Sequence, residues 1–386
     1  MNMLAIKPKS LTSKSLGFTL VELMVAITIG LIILAVMSQV YVGSKRTYRS
    51  QEALSRLQEN GRYAIDFLGR DIRMAGYMGC IGPGAAFNNI ANPITGWTPL
   101  NNTTSPPTLE GIIGYEQAGI PGVFPVAIGD VKANTDVVEI QHFSATGAKV
   151  TVSSSSSPPP STANVQIAGN PLGFHVSEIL VVSDCASADI FKATAVSSSG
   201  GKVTIPHSTS SNTGNFTSKP YADNAEIMRI ETSVYYVGSG KGVCPVDSLC
   251  RTRLGFYVAG GANWCVDPAA PGATPGLCVE QVAEGVEDMQ ILYGVNTTSS
   301  PNHTADIFVN AAAINCTTVQ ICWPNVVSAR VNLLLRTVDT TVSPENIAAY
   351  PASLIPLFGG VATPLTTPRA YRRVYTETVT LRDRAL

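Results

Sequence analysis

Lys14 to Val40 reads KSLGFTLVELMVAITIGLIILAVMSQV, and a single acid, Glu22, stands near the start of its apolar run. From Leu23 to Val42 there is no charged residue. That length crosses about 30 Å of hydrocarbon at about 1.5 Å per residue of helix. Lys7, Lys9 and Lys14 precede the run with no acid among them, which favours a cytoplasmic N-terminus by the positive-inside bias. Lys45, Arg46 and Arg49 on the far side weaken that bias without reversing it. A secretory signal peptide has a shorter apolar core and a small-residue cleavage site, and no such site follows Val42. A plain membrane anchor accounts for the length of the run but not for Glu22.

Beyond the membrane segment the pattern turns amphipathic. Between Ser44 and Gly79 the apolar residues Leu54, Leu57, Ala64, Ile65, Leu68, Ile72 and Ala75 fall mostly three or four apart. Charges occupy the other positions, so the spacing predicts a helix that continues the membrane span. Gly76, Gly79 and Pro83 supply its stop signals. Gly61 lies inside it and lowers local helix stability by about 1 kcal/mol. A bare stalk or coiled coil is the rival reading, but the apolar stripe is short for one.

The remainder is of another kind. The chain has 386 residues, only 14% of them charged, and a formal net charge of −1. That balance gives no reason to invoke nucleic acid or an acidic partner. The length and the abundance of turn residues fit a large β-rich exported domain. Alternation of apolar and polar residues predicts strands at Asp136–Phe143, Ser177–Ser183, Lys202–Ile205, Ala225–Val237, Arg253–Val258, Met289–Val295, Ala329–Val338 and Arg373–Leu381. The tract SSSSSPPP at Ser153–Pro160 reads as an exposed, mobile loop.

The eight cysteines all lie after the apolar run: Cys80, Cys185, Cys244, Cys250, Cys265, Cys278, Cys316 and Cys322. No C-x-x-C pair occurs and the four histidines are scattered, so zinc lacks its usual ligand spacing. Disulfides are the better reading and place this part outside the cytosol. Eight cysteines admit on the order of a hundred pairings. Proximity favours Cys244–Cys250, Cys316–Cys322 and Cys265–Cys278, leaving Cys80–Cys185 to tie the helix end to the β domain.

The stretch Gly17-Phe18-Thr19-Leu20-Val21-Glu22 resembles the type III signal of type IV prepilins and pseudopilins. The resemblance implies cleavage by a prepilin peptidase between Gly17 and Phe18, and N-methylation of Phe18. It also implies an assembly role for Glu22, whose carboxylate would pair with the Phe18 amine of a neighbouring subunit. The alternatives for Glu22 are balancing its own chain's amine or reaching the lipid headgroups. Further matches are SRLQENGRYA at Ser55–Ala64, DIRMAGYMGC at Asp71–Cys80, VEDMQILYG at Val286–Gly294 and RRVY at Arg372–Tyr375. Together these resemble the PilW-type minor pilins of Gram-negative type IV pili, most weakly between about Ala85 and Ala225.

The expected fold is therefore α+β and pilin-like, with a long N-terminal transmembrane and amphipathic helix followed by a large β-rich disulfide-bonded globular domain. The expected parts are a leader at 1–17, a transmembrane and filament-core helix at 18–42, its amphipathic continuation at 43–79, and a periplasmic or extracellular domain at 80–386. The resemblance implies a non-enzymatic subunit that takes part in initiation and tip capping of type IV pili, and supports adhesion and twitching motility. Its implied partners are other minor pilins, the major pilin, a PilY-type tip adhesin, the prepilin peptidase and the inner membrane. Nucleic acid is an unfavoured partner that DNA uptake by pili keeps open.

Catalytic chemistry finds little support in the sequence. Gly238-Ser239-Gly240-Lys241-Gly242 lacks the spacing of a phosphate-binding loop and reads as a hairpin turn. There is no G-x-S-x-G elbow and no H-E-x-x-H helix. Asp136, Glu139, Asp184, Asp189, Glu284, Glu287 and Asp288 lack the spacing of a calcium loop, and the last three read as a solvated turn. Arg369, Arg372, Arg373, Arg382 and Arg384, with Tyr371 and Tyr375 among them, read as an outward strand face rather than a nucleic-acid patch. No catalytic residue, metal ligand or cofactor is expected. Two rival functions remain: a J-type pseudopilin of a type II secretion system, although those are much shorter, and a membrane-anchored hydrolase or carbohydrate-binding domain.

Overall fold

A computed structural model describes residues 17–81, 86–92, 111–121, 125–151, 164–214, 221, 223–258, 263–268, 270, 272–298, 304–315, 321–339, 342 and 369–382. The Ser153–Pro160 tract lies outside them. Two compact units are present, Met1–Glu52 and Ala53–Leu386. Helix α1 (Leu20–Met74, 55 residues) runs through both.

In the first unit α1 is long and apolar enough to cross a membrane, and none of its apolar window is buried within the chain. Leu23, Ile27, Leu31, Leu34 and Met37 are all exposed. In the second unit the character of the helix changes. Leu57, Gly61, Ala64, Ile65, Leu68, Gly69 and Ile72 are buried, a stripe with the helical three-and-four spacing.

Among the described residues the strands form two sheets. The larger contains β1 (Ala86–Asn89), β2 (Ile112–Glu116), β3 (Asp136–Phe143), β4 (Ala148–Thr151), β5 (Val165–Ala168), β6 (Ile179–Ser183), β7 (Ser187–Lys192), β8 (Ser197–Ser199), β9 (Lys202–Ile205), β10 (Glu226–Val237), β11 (Ser248–Val258) and β12 (Ala273–Glu284). The smaller runs in the order β14-β13-β15-β16, with β13 (Val286–Val295), β14 (Ile307–Val309), β15 (Val326–Arg336) and β16 (Arg372–Thr380).

Strand β10 organises the larger sheet. Its first residues, Glu226–Arg229, pair antiparallel with β6, whereas Ile230–Tyr235 pair with β3 and Ser233–Val237 with β11. The strands on its early side enclose a separate apolar core that includes Val150, Ile167, Leu180, Phe191 and Ile205. The principal core lies elsewhere, where the α1 stripe meets Ile112 and Ile140 of the larger sheet and Met289, Ile291 and Leu333 of the smaller.

Disulfides join Cys80 to Cys185, Cys244 to Cys250 and Cys265 to Cys278. Cys322 is also disulfide-bonded, while Cys316, its expected partner, lies outside the described residues. Cys80–Cys185 spans 105 residues and Cys244–Cys250 only 6, so the loop-entropy argument ranks the first far above the second. Replacing Cys80 and Cys185 together with serine is expected to cost about 4–5 kcal/mol. Urea unfolding should show the smaller loss for the Cys244/Cys250 pair, and the reverse order would refute the ranking.

Candidate functional site

The N-terminal motif builds a helix start. Thr19 precedes the first residue of α1, and its hydroxyl accepts the Glu22 N–H at 3.2 Å. In return Glu22 Oε2 accepts from the Thr19 backbone N–H at 3.0 Å and from its hydroxyl at 3.1 Å. This reciprocal Thr-x-x-Glu arrangement satisfies amides that have no partner inside the helix. Glu22 thus has a role within its own chain that neither amine pairing nor headgroup contact anticipates. Gly17 has no such internal task, because a side chain built there meets nothing within 4 Å. The same holds for Gly30 and Gly43 along the apolar helix.

At the other end of α1 the helix is fastened to both sheets. Tyr235 of β10 donates its hydroxyl to Asp71 Oδ2. Arg251 of β11 reaches the same oxygen at 3.4 Å and stacks 4.9 Å over the Phe67 ring. Its other guanidinium bonds go to Glu280 Oε2, at 3.0 and 2.5 Å, while Arg253 takes Glu280 Oε1 at 2.7 and 2.5 Å. Burial acts to raise the pKa of Glu280, but the bonds from Arg253 and Arg251 outweigh it and hold the carboxyl below its ordinary value. Burial pushes the Tyr235 hydroxyl up, and the Asp71 carboxylate adds to the shift. Tyr235 therefore stays a donor.

The smaller sheet approaches α1 through β16. A Cβ on Gly61 would stand 2.2 Å from the Tyr375 ring, and one on Gly69 would stand 2.8 Å from the Glu377 carboxylate. Tyr375 also donates to the Leu57 carbonyl at 3.3 Å, and Arg73 lies 3.8 Å from Glu377. The two helix glycines are notches for β16 side chains. Gly61 is more than a tolerated break in the pattern.

Glu287 and Asp288 do not form a solvated turn: both are buried on β13. Nor is Arg372 outward, since it makes a bidentate pair with Glu287 at 2.6 and 2.8 Å. The reason is register. Arg336 of β15 stands directly opposite Arg372 of β16, and like charges so placed repel unless acids intervene. Glu287 answers Arg372, while Asp247 takes Arg336 at 2.9 Å and Lys132 at 2.5 Å. Glu284 alone of the three acids is exposed.

The other arginines are dispersed. Arg373 stacks 5.5 Å from the Tyr375 ring, Arg382 lies 5.9 Å from Tyr77, and Arg384 is outside the described residues. Gly238–Gly242 lies in the turn between β10 and β11. A cavity of about 590 Å³ opens beside β10 and β11. Its Arg229 is committed to Glu178 at 3.2 Å, and its Arg251 and Arg253 to Glu280. No group of three or more potential metal ligands exists among the described residues.

Residues 12–38 match the prokaryotic N-terminal methylation motif, and residues 234–383 match the family of the type IV pilus-assembly protein W. The chain carries a prepilin-type methylation motif and a PilW-like C-terminal region. Both similarities are to the type IV pilus system, the PilW family being one of structural assembly proteins, and the apolar helix suits a membrane anchor by length and composition. The PilW match begins within β10 and covers β11 to β16; β2 and β3, which also meet the α1 stripe, lie before it. No curated protein and no solved structure matches the chain.

The helix–sheet contact makes a specific demand. Gly61→Ala improves intrinsic helix propensity by about 1 kcal/mol, yet it forces the Tyr375 ring off its seat. A net destabilisation of about 1–3 kcal/mol is expected. Combining it with Tyr375→Ala should cost less than the sum of the two single changes. Additive losses in urea unfolding would contradict a direct contact.

Proposed function

We propose that this chain is cut between Gly17 and Phe18, methylated on Phe18, and built into type IV pili as a subunit of the initiating and tip-capping complex. One observation carries the proposal. A PilW domain receives the C-terminal half of a helix whose N-terminal half begins at a methylation motif and remains wholly uncovered. A bare apolar helix needs lipid or other helices around it. The prepilin segment enters the inner membrane with its N-terminus cytoplasmic and its globular domain periplasmic, then passes to the pilus. Partners are other minor pilins, the major pilin and a PilY-type tip adhesin, and the role is structural rather than catalytic. Adhesion and twitching motility follow from the pili so initiated.

Gly17 supports this reading because nothing among the described residues requires a glycine there. The requirement then belongs to the peptidase pocket. Gly17→Trp is expected to leave the chain unprocessed in membranes. Intact mass of the extracted protein should equal the full chain for the variant and the Phe18–Leu386 chain plus one methyl group for the parent. A parent N-terminus beyond Val42 would contradict the proposal.

Glu22 is assigned two tasks, capping α1 and setting axial register against a neighbour's Phe18 amine. An uncompensated charge in an apolar bundle is costly, so pairing favours one register over slipped ones. Glu22→Leu should keep membrane levels and processing while lowering incorporation into sheared pili. Glu22→Gln preserves a hydrogen-bonding cap without the charge and should show the same assembly loss. Equal incorporation of both variants at equal membrane levels would leave Glu22 with the cap alone.

A further inference from the structure

The β2–β3 ladder sets Glu116 directly opposite Asp136. Two like charges in that position repel, and here one of them is buried: Asp136 is 3% exposed. Asp136 Oδ2 accepts the backbone N–H of Ile291 at 2.7 Å, which ties β3 of the larger sheet to β13 of the smaller. Its Oδ1 has no hydrogen-bond partner among the described residues, and neither does the buried Tyr293 hydroxyl. Tyr293 packs over Gly114, where a Cβ would stand 2.1 Å from that hydroxyl. Gly114 is two residues from Glu116 and so shares its face of β2.

The groups around this join are acids and phenols. Glu116 faces Asp136 from β2, and Asp288 acts on it from β13. Asp136, Glu116 and Tyr115 all act on Tyr293. Glu139, the next acid along β3, is held by Tyr115 at 3.2 Å and by Gln141 at 2.6 Å. Lys132 acts on Asp288 and is bonded to Asp247 and to the Glu287 carbonyl. The charged groups that act most on Asp136 are the acids Glu116 and Asp288, and the opposing bond is the Ile291 N–H.

We propose that Asp136 holds a proton opposite Glu116 and forms a pH-sensitive joint between the two sheets. Protonated, Asp136 seals β3 against β13; ionised, it is repelled by Glu116 and that contact loosens. Charge and geometry agree with a held proton. Burial first, and then the Glu116 charge, push Asp136 up to about 8, and burial pushes Asp288 up to about 6. Both values lie above the ordinary carboxyl value of 3.8. The stability they contribute is therefore complete below about pH 4 and is lost as pH rises, through about 6 for Asp288 and about 8 for Asp136.

Urea unfolding of the intact detergent-solubilised chain between pH 5 and 9 tests this. Asp136→Asn keeps an acceptor for the Ile291 N–H, offers an N–H toward Glu116 and cannot ionise. The unfolding constant of the parent, relative to this variant, should rise by close to tenfold per pH unit from about pH 5 to 8. Parallel pH curves would overturn the proposal. Glu116→Gln removes the opposing charge, so the loss of stability should finish at lower pH than in the parent. An unchanged curve overturns the held proton even if Asp136→Asn fails to fold. Calcium chloride separates proton from cation: a parent curve unaffected by it supports the joint, and a slope abolished by it means that the pair holds a cation instead.

Discussion

Everything in the second unit depends on one constraint, the close approach of α1 to two sheets at once. Gly61 and Gly69 let β16 side chains reach the helix backbone, and Asp71 gives the larger sheet a polar anchor through Tyr235 and Arg251. Between these fastenings Ala64, Leu68 and Ile72 are fully buried. The apolar stripe supplies the driving force for docking. The glycines and the Asp71 anchor fix how the helix lies. The apolar window nearer the start of the helix, none of it buried within the chain, is left to lipid or to other helices.

Strand β10 carries the second constraint. Its early residues pair with β6 of the additional β region and its later ones with β3 and with β11, the last inside the PilW match. The additional region has its own apolar core, and Cys80–Cys185 ties it to the chain just beyond α1. It can therefore vary in sequence without disturbing the helix-receiving face, provided that β10 keeps both sets of partners. Inside the PilW domain, register forces buried charge. Arg336 and Arg372 are neighbours across a ladder, and Asp247 and Glu287 are present because those arginines are. Removing one partner from such a set costs far more than the set contributes as a whole.

The helix, its apolar stripe and eight of the strands were legible in the sequence because each depends on local periodicity. Asp136–Phe143 and Lys202–Ile205 have the bounds that alternation predicts. Strand β12 has no clear period in sequence because Pro275 and Gly276 interrupt it, although a strand whose only strand partner among the described residues is β11 tolerates both. The short strands β1, β4, β5, β8 and β14 are too brief for any period to declare itself. Charge burial was not legible at all. Val286-Glu287-Asp288 looks polar in sequence, and only the pairing of β13, β15 and β16 shows that cations await those carboxylates. The Thr19–Glu22 cap has the Thr-x-x-Glu spacing of a capping box, whereas the membrane and assembly roles turn on the charge of Glu22 alone.

The central claim is that residues 57–72 of α1 belong to the folded PilW core rather than to an independent stalk. Amide hydrogen exchange on the intact chain in detergent measures this directly. Amides from Leu57 to Ile72 should exchange only with global unfolding, at the slow rate of β13 and β15. Exchange of that segment well ahead of β15, with the sheets still protected, would contradict the account.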